Sequence, residues 1–340
     1  MRSTSSRMFL ILNPSARSFR AGEVWPALFA GLRRRQVDFD VALTTADGDP
    51  AELVHGAVAQ GARTIVAVGG DGTINDALNG LFPLVPPFSA PVASTATFGV
   101  LYTGTSPDFC RHHRIPLDLE AALDLLCSGR HRRVDVCRIT CRAGPAGPAV
   151  TRVFGCCANF GLGAAVARLA NSGLRRRFGD GLGTLLALMR SVLKTTACQA
   201  PLAPSASPVT PHQRPPAALP TLRVRLDGRD LVFPRLGNLF VGKSPLVASG
   251  IRLAVDLAPD DGQMYVLPVA GVSRARLFAL LPRAYTGGLA RRFPPLYGRR
   301  LEIMPCPEAP EVEYDGDPRG FLPAAIEVLP RALDLIAPSP

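Results

Sequence analysis

The chain reads as a two-domain α/β protein, with an N-terminal open parallel sheet and a C-terminal antiparallel, β-sandwich-like domain. Three observations lead there. Residues 1–132 alternate short apolar runs with amphipathic helical stretches, the order that builds a parallel sheet with ligands at its carboxyl edge. One of those runs, Thr64–Val68, feeds directly into Gly69-Gly-Asp-Gly72 and then a helical pattern. From Arg133 onward the strands come in runs, which indicates antiparallel pairing. Segment 326–340 is expected to return to the first domain, leaving 133–325 as the second.

Met8–Leu12 is an apolar run that ends at Asn13-Pro-Ser-Ala-Arg17, a polar turn where a parallel strand would expose its carboxyl end. It is too short for a signal-peptide core. Val24–Arg35 is an amphipathic helix, Phe39–Thr44 a second strand and Pro50–Gln60 the next helix. Thr64–Val68 is β-branched and apolar, as buried parallel strands are. The helix from Thr73 carries Ile74, Ala77, Leu78 and Leu81 on one face, with Asn75 and Asn79 beside it. Phe98–Leu101 is a fourth strand and Leu119–Cys127 a helix. The second domain begins with a strand at Arg133–Val136. Strands follow at Val150–Ala158, Thr221–Leu226, Leu231–Phe233, Leu236–Val241 and Gln263–Pro268, with a helix at Ser273–Leu281. Ala325–Val328 and Ala332–Ile336 read as strands around Pro330. Residues 201–220, dense in Pro, Ala and Ser, read as an extended surface loop.

The glycine turn carries the chemistry. Gly69, Gly70 and Gly72 let the backbone turn sharply and approach a ligand without a Cβ in the way. A strand, a tight turn and a helix start aim free N–H groups at whatever lies above, and the helix dipole favours phosphate there. The stretch lacks G-x-G-x-x-G and the Lys-Ser/Thr of a Walker A loop. Asp71 distinguishes it: a carboxylate among phosphates calls for Mg²⁺ nearby. The same Asp could instead accept a backbone hydrogen bond in a tight turn.

Composition narrows the partners. With 340 residues, 47% of them hydrophobic, the chain can fill two cores. The net charge of +11 and pI near 9.8 point to an acidic partner, unless they reflect an Arg-rich coding bias. Only 6% of residues are aromatic, which argues against base-stacking platforms and so against nucleic acid. The 8 cysteines show no CxxC pair, so they fit neither a zinc site nor a disulfide framework and read as buried, reduced thiols of a cytoplasmic protein. No apolar run reaches the roughly 20 residues that span a bilayer.

Gly69-Gly-Asp-Gly-Thr-Ile-Asn-Asp76 followed by Asn79-Gly80 resembles the nucleotide motif of the diacylglycerol kinase catalytic-domain family. That family includes bacterial lipid kinases and sphingosine and ceramide kinases. The Gly-Gly-Asp-Gly core is shared with NAD kinases and phosphofructokinases. Further matches run along the chain: Asn13-Pro14, Gly104-Thr105 with Asp108 and Arg111, Ile115-Pro116, Val134-Asp135, Asn159 with Gly161-Leu-Gly163, Asp260-Asp-Gly262 and Asp315-Gly-Asp317. Two places depart from the family pattern. Pro107 replaces an Asn, removing a side-chain amide and a backbone donor, and Asp317 replaces a longer Glu.

The resemblance implies an ATP-dependent lipid kinase using Mg²⁺, most simply acting on diacylglycerol. Sphingoid bases, phosphatidylglycerol or another amphiphilic alcohol are alternative acceptors, and a nucleotide-binding pseudokinase is the rival class. It implies nucleotide contacts from Asn13, Thr44, Gly69, Gly70, Asp71, Gly72, Thr73, Asn75, Thr105 and Asp317. Asp71 would act through Mg²⁺ and Asp315 as the base, with Asp108 and Asp135 shaping the lipid site, the alternative for Asp135 being a satisfied acid at a strand edge. Asp261 would bind a structural Mg²⁺, the alternative being an Asp-Gly turn without metal. Arg274–Arg300 is either a membrane-facing patch or a solvated face. The expected setting is cytoplasmic and peripheral to an anionic membrane that presents the lipid substrate, with a homodimer as a compatible assembly.

Overall fold

The computed structural model describes residues 7–14, 21–45, 49–82, 93–104, 106–169, 219–247, 251–273, 276, 279–280, 283, 286–306 and 311–339. Parallel strands β1 (Met8–Leu12), β2 (Phe39–Leu43), β3 (Thr64–Gly69) and β4 (Thr97–Tyr102) lie in the order β2-β1-β3-β4. Helices α1 (Trp25–Arg34), α2 (Pro50–Ala59) and α3 (Asp71–Gly80) connect the strands or follow them. Pro50 occupies the first turn of α2, and Asp49 caps it by accepting from the Ala51 N–H at 2.9 Å, two standard start signals. Two further helices, α4 (Asp108–His113) and α5 (Leu119–Cys127), lead out of the sheet. Asp118 caps α5 through the Ala121 N–H.

The second half is built from β5 (His131–Arg142), β6 (Ala149–Phe154), β7 (Cys157–Gly161), α6 (Leu162–Leu169), β8 (Leu222–Leu226), β9 (Arg229–Phe233) and β10 (Asn238–Gly242). The small pair β11 (Leu246–Val247) and β12 (Ile251–Arg252) precedes β13 (Met264–Val269). After α7 (Leu289–Arg292) come β14 (Leu296–Gly298), β15 (Arg300–Ile303), β16 (Glu311–Tyr314) and β17 (Asp317–Ile336). Their pairing is antiparallel, apart from the end of β17, which lies parallel to β4 with Leu335 opposite Phe98. The α/β class and the parallel-then-antiparallel division are as the sequence predicts.

Two layers of the second half meet over a shared core that includes Phe154, Phe160, Leu239, Val241, Leu301 and Ile326. The core of the first half takes in Val134, Val136, Leu329 and Leu333. The apolar interior therefore changes hands between Val136 and Cys137, and again between Val328 and Leu329. β5 and β17 run through both halves side by side and join them.

Several elements differ from expectation. Ala325–Val328 and Ala332–Ile336 belong to one 20-residue strand, β17, whose register slips between Leu329 and Leu333. Val150–Ala158 is broken at Gly155-Cys156 into β6 and β7. The helix expected from Thr73 starts at Asp71, and α4 is an additional helix. Cys127 is exposed, whereas Cys110, Cys137, Cys141, Cys156, Cys157 and Cys306 are buried as expected. Thr105, Arg274, the loop at 201–218 and much of the expected helix 273–281 lie outside the described residues, as do Arg17 and Arg20, either of which the resemblance would make the basic residue that follows Asn13-Pro14.

Candidate active site

The parallel strands deliver their carboxyl ends to one edge. Leu12 is opposite Leu43 and Val68, and Gly69 is opposite Tyr102. Asn13, Thr44, Gly70 and Thr103, each the next residue along, therefore line that edge together. Backbone bonds hold them: Thr44 N–H donates to the Leu12 carbonyl at 2.8 Å, and Thr103 N–H to the Gly69 carbonyl at 2.9 Å. At the centre, Gly70 is the extended N-cap of α3, with no side-chain cap over the helix start. First-turn N–H groups without a side-chain cap, with the helix dipole behind them, make a phosphate cradle.

The turn has no room for larger residues. A Cβ on Gly69 would collide with the Thr73 side chain, and one on Gly104 would lie 2.5 Å from the Gly70 Cα and 2.7 Å from the Tyr102 hydroxyl. Two glycine turns, from the ends of β3 and β4, thus press against each other. Asn13 Nδ2 donates to Thr73 Oγ1 at 3.0 Å and ties β1 to α3. Thr73 is 3% exposed, so its hydroxyl braces the turn from beneath.

Asp315 enters from the second half on a two-residue hairpin between β16 and β17. Asp315 (φ 48°) and Gly316 (φ 92°) both take left-handed backbone, the conformation of a type I′ turn and the reason for an Asp-Gly pair there. One carboxylate oxygen of Asp315 accepts from Asn75 Nδ2 and from Gly155 N–H, and the other from Cys156 N–H, each at 2.9 Å. The break between β6 and β7 exists to present these two amides. Burial raises the Asp315 pKa, against the opposing pull of those hydrogen bonds. A carboxylate accepts about four hydrogen bonds, and the described residues fill three of them.

This geometry reassigns Asn75. It is fully buried, and its amide donates to Asp315 and, at 3.0 Å, to the Val153 carbonyl. Asn79 completes the bracket by exchanging bonds with Val153 in both directions, at 2.9 and 2.8 Å. Both asparagines of the motif therefore fasten α3 to the second half; Asn75 does not face a nucleotide.

Asp71, which is half-buried, and the buried Asp108 and Asp315 all lie within electrostatic reach of Cys156. Burial first, then the charges of these three acids, pushes the Cys156 thiol pKa well up. Burial and the charges of Asp71 and Asp108 push the Tyr102 hydroxyl up in the same way. The leading charges on both groups are acidic side chains, while Arg319 acts on Asp315. Hard carboxylate oxygens of this kind are the donors that Mg²⁺ takes. Asp108 is 6% exposed at the start of α4, and Ser106 Oγ donates to it at 3.2 Å. Pro107 takes the N-cap position of that helix.

Asp317 lies over the glycine turn, its Oδ2 3.3 Å from where a Gly72 Cβ would sit. Its partner is one that sequence reasoning missed. Arg319 reaches Asp317 Oδ2 at 3.1 Å and Asp76 Oδ1 of α3 at 2.9 Å, and its guanidinium stands 5.8 Å from the Tyr314 ring centre. The signal available was spacing, since residues i and i+2 of a strand share a face. Glu313, also missed, is 4% exposed and accepts from Asn159 Nδ2 and from Gly316 N–H at 2.6 Å.

Asp135 and Asp261 meet elsewhere, around Lys243. The Lys243 Nζ lies 2.9 Å from Asp135 Oδ2, 2.6 Å from Asp261 Oδ1, 2.9 Å from the Ala258 carbonyl and 2.7 Å from the Gln263 carbonyl, its three N–H groups shared among these four oxygens. Asp135 also accepts from Gly262 N–H at 2.7 Å and Arg331 N–H at 2.7 Å. Asp135, 2% exposed, is thus committed on both oxygens and does not face a lipid head group. The structural Mg²⁺ expected at Asp261 does not fit either, because a lysine ammonium fills that oxygen cage. Burial alone would raise the Asp261 pKa, but the Lys243 ammonium and the Gln263 and Ala258 N–H groups lower it overall.

Comparison with known proteins agrees with this arrangement. Residues 7–139 match the diacylglycerol kinase catalytic domain, and residues 218–337 match the YegS C-terminal NAD kinase beta sandwich-like domain. A protein named Probable lipid kinase YegS-like, from Xanthomonas oryzae pv. oryzae strain MAFF 311018, is 32% identical over 155 residues, 46% of this chain and 47% of its own. One of the same name from Cronobacter sakazakii is 33% identical over 137 residues, 40% of this chain and 43% of its own. The matched part therefore spans about half the length of these relatives or less. A crystal structure of a diacylglycerol kinase from Bacillus anthracis str. Sterne superposes with a TM-score of 0.67 at 18% identity, covering 99% of each chain, which is a likeness of fold. Residues 7–139 thus belong to the diacylglycerol kinase catalytic-domain family, and residues 218–337 to the sandwich-like domain described for YegS.

Proposed function

We propose that this chain is an ATP-dependent lipid kinase that transfers the γ-phosphate of ATP to a lipid hydroxyl, most simply that of diacylglycerol. The observation that carries the reading is the bond by which Asn75, one turn along α3 from Asp71, holds the Asp315 carboxylate that comes from the opposite half. The names of the matched relatives support the substrate class.

In this reading the α3 N-terminus and the Gly69–Gly72 backbone hold the phosphates. Asp315 accepts the proton of the acceptor hydroxyl while its oxygen bonds to the γ-phosphorus and the bond to the ADP oxygen breaks. Burial, by raising the Asp315 pKa, strengthens it as a base. Mg²⁺, when bound with the nucleotide, neutralises charge developing on the phosphates, and Asp71 is the residue that would hold it. Asn75, Gly155 and Cys156 keep the Asp315 carboxylate in place.

The test is transfer of labelled γ-phosphate from ATP into a total lipid extract, with the product identified by mass spectrometry. A labelled lipid is expected from the wild type. Asp315→Asn should lower the rate by about 10²–10⁴-fold, measured where both proteins are folded. If ATP binds but no lipid is labelled, the pseudokinase reading replaces this one.

A further inference from the structure

We propose that Lys243 is a built-in cation: its ammonium takes the place of a divalent metal ion in the oxygen cage of loop 258–263 and clamps that loop to Asp135, where the two halves join. The cage holds two carboxylates and two backbone carbonyls, at 2.6–2.9 Å from Nζ. These are lengths of hydrogen bonds from a charged nitrogen, while the donor set is the hard-oxygen set that Mg²⁺ or Ca²⁺ takes. Lys243 is 2% exposed, so the ammonium is enclosed as a bound ion would be.

The choice of lysine is informative in this chain. Of its 38 Lys and Arg residues, lysine occurs only at 194 and 243. A guanidinium is a planar fork, whereas an ammonium is a compact point charge with three donors. Only the latter can be surrounded by oxygens from several directions, as a metal ion is.

The clamp also reaches the candidate active site. The Cys156 carbonyl accepts from Lys243 N–H at 2.9 Å and Ser244 N–H at 3.1 Å, while the Cys156 N–H holds Asp315. One residue, Cys156, therefore links the backbone of Lys243 to the proposed base. On the other side, Asp135 N–H donates to the Pro259 carbonyl at 2.8 Å, so the loop and β5 are stitched in both directions.

Without the lysine, two carboxylates and two carbonyls would face an empty centre and attract a divalent ion. The experiment uses the full chain without nucleotide, in EDTA, MgCl₂ or CaCl₂. Lys243→Ala should melt lower than the wild type in EDTA and regain a few degrees more than the wild type does when either ion is added, as expected for a ligand that binds only the folded state. A folded Lys243→Ala whose melting responds to the ions no more than the wild type overturns the proposal. A second measurement needs no variant: reductive methylation with peptide mapping should leave Lys243 unmodified in native protein, in EDTA and in Mg²⁺ alike, and modify it in urea. Methylation of Lys243 in native protein when Mg²⁺ is present would mean that the metal displaces it, and also overturns the proposal. Neither readout depends on kinase activity.

Discussion

Glu313 stands two residues before Asp315 on β16, and both of its carboxyl oxygens face donors. Even so, burial pushes its pKa up to about 8, with Asp315 and Asp317 adding smaller like-charge contributions. A carboxyl raised in this way stabilises the fold fully below its unfolded pKa, near 4.3, and loses that contribution as the pH rises through about 8. Glu313→Gln removes the titration. The orientation of Asn159 is set by Asn238, whose Nδ2 donates to Asn159 Oδ1 at 3.0 Å, so the new amide would oppose a donor. That costs about 1–3 kcal/mol at low pH. The expected outcome is a variant less stable than the wild type at pH 4 whose melting temperature falls less between pH 4 and 9. Parallel curves across that range would show that Glu313 titrates alike in the folded and the unfolded chain. At this scale the sequence shows which residue types gather, but not which way they turn. Asp71, Asp108 and Asp315 are legible from the motifs, whereas the partners of Asn75, Asp135 and Asp261 depend on residues more than 100 positions away or on a lysine with no motif around it.

Elements were legible where one local signal set them. The Pro50 start of α2, the apolar runs of β1, β3 and β4 and the Asp-Gly turn before β17 all follow from short stretches. The break between β6 and β7 does not, because Gly155 and Cys156 leave the ladder to bind a carboxylate from another strand. β17 likewise stays one strand past Pro330 because β5 pairs with it on both sides of the irregularity. The close approach of the two glycine turns is also an element-level fact, and it can be tested. Gly104→Ala places a Cβ 2.5 Å from the Gly70 Cα, backbone against backbone, so the turns must separate. A loss of about 1–3 kcal/mol is expected, together with weaker ATP binding. Gly56→Ala is the control: nothing lies within 4 Å of its added Cβ, it sits inside α2, and it should stabilise by about 0.5–1 kcal/mol. Equal effects from the two substitutions would show that the contact between the turns carries no weight.

For the whole molecule, the open question is where the charge of +11 acts. No helix among the described residues is long and apolar enough to cross a membrane. Exposed Arg276, Arg283, Arg291, Arg292 and Arg299 cluster in sequence around the half-buried Phe293 and Tyr297, which is 38% exposed. Arginines beside aromatic rings suit an anionic interface, where each basic residue near the surface adds about 1 kcal/mol. Such attraction is screened within about 10 Å at 0.1 M salt. Sedimentation with vesicles should therefore rise with the fraction of phosphatidylserine and fall as salt is added. Arg291→Glu with Arg292→Glu, both on the short α7 and remote in sequence from the glycine turn, should weaken vesicle binding while ATP affinity stays unchanged. Equal binding to neutral and anionic vesicles at low and high salt would make this arginine face a solvated one, and the lipid hydroxyl would then have to reach the cleft by some other route.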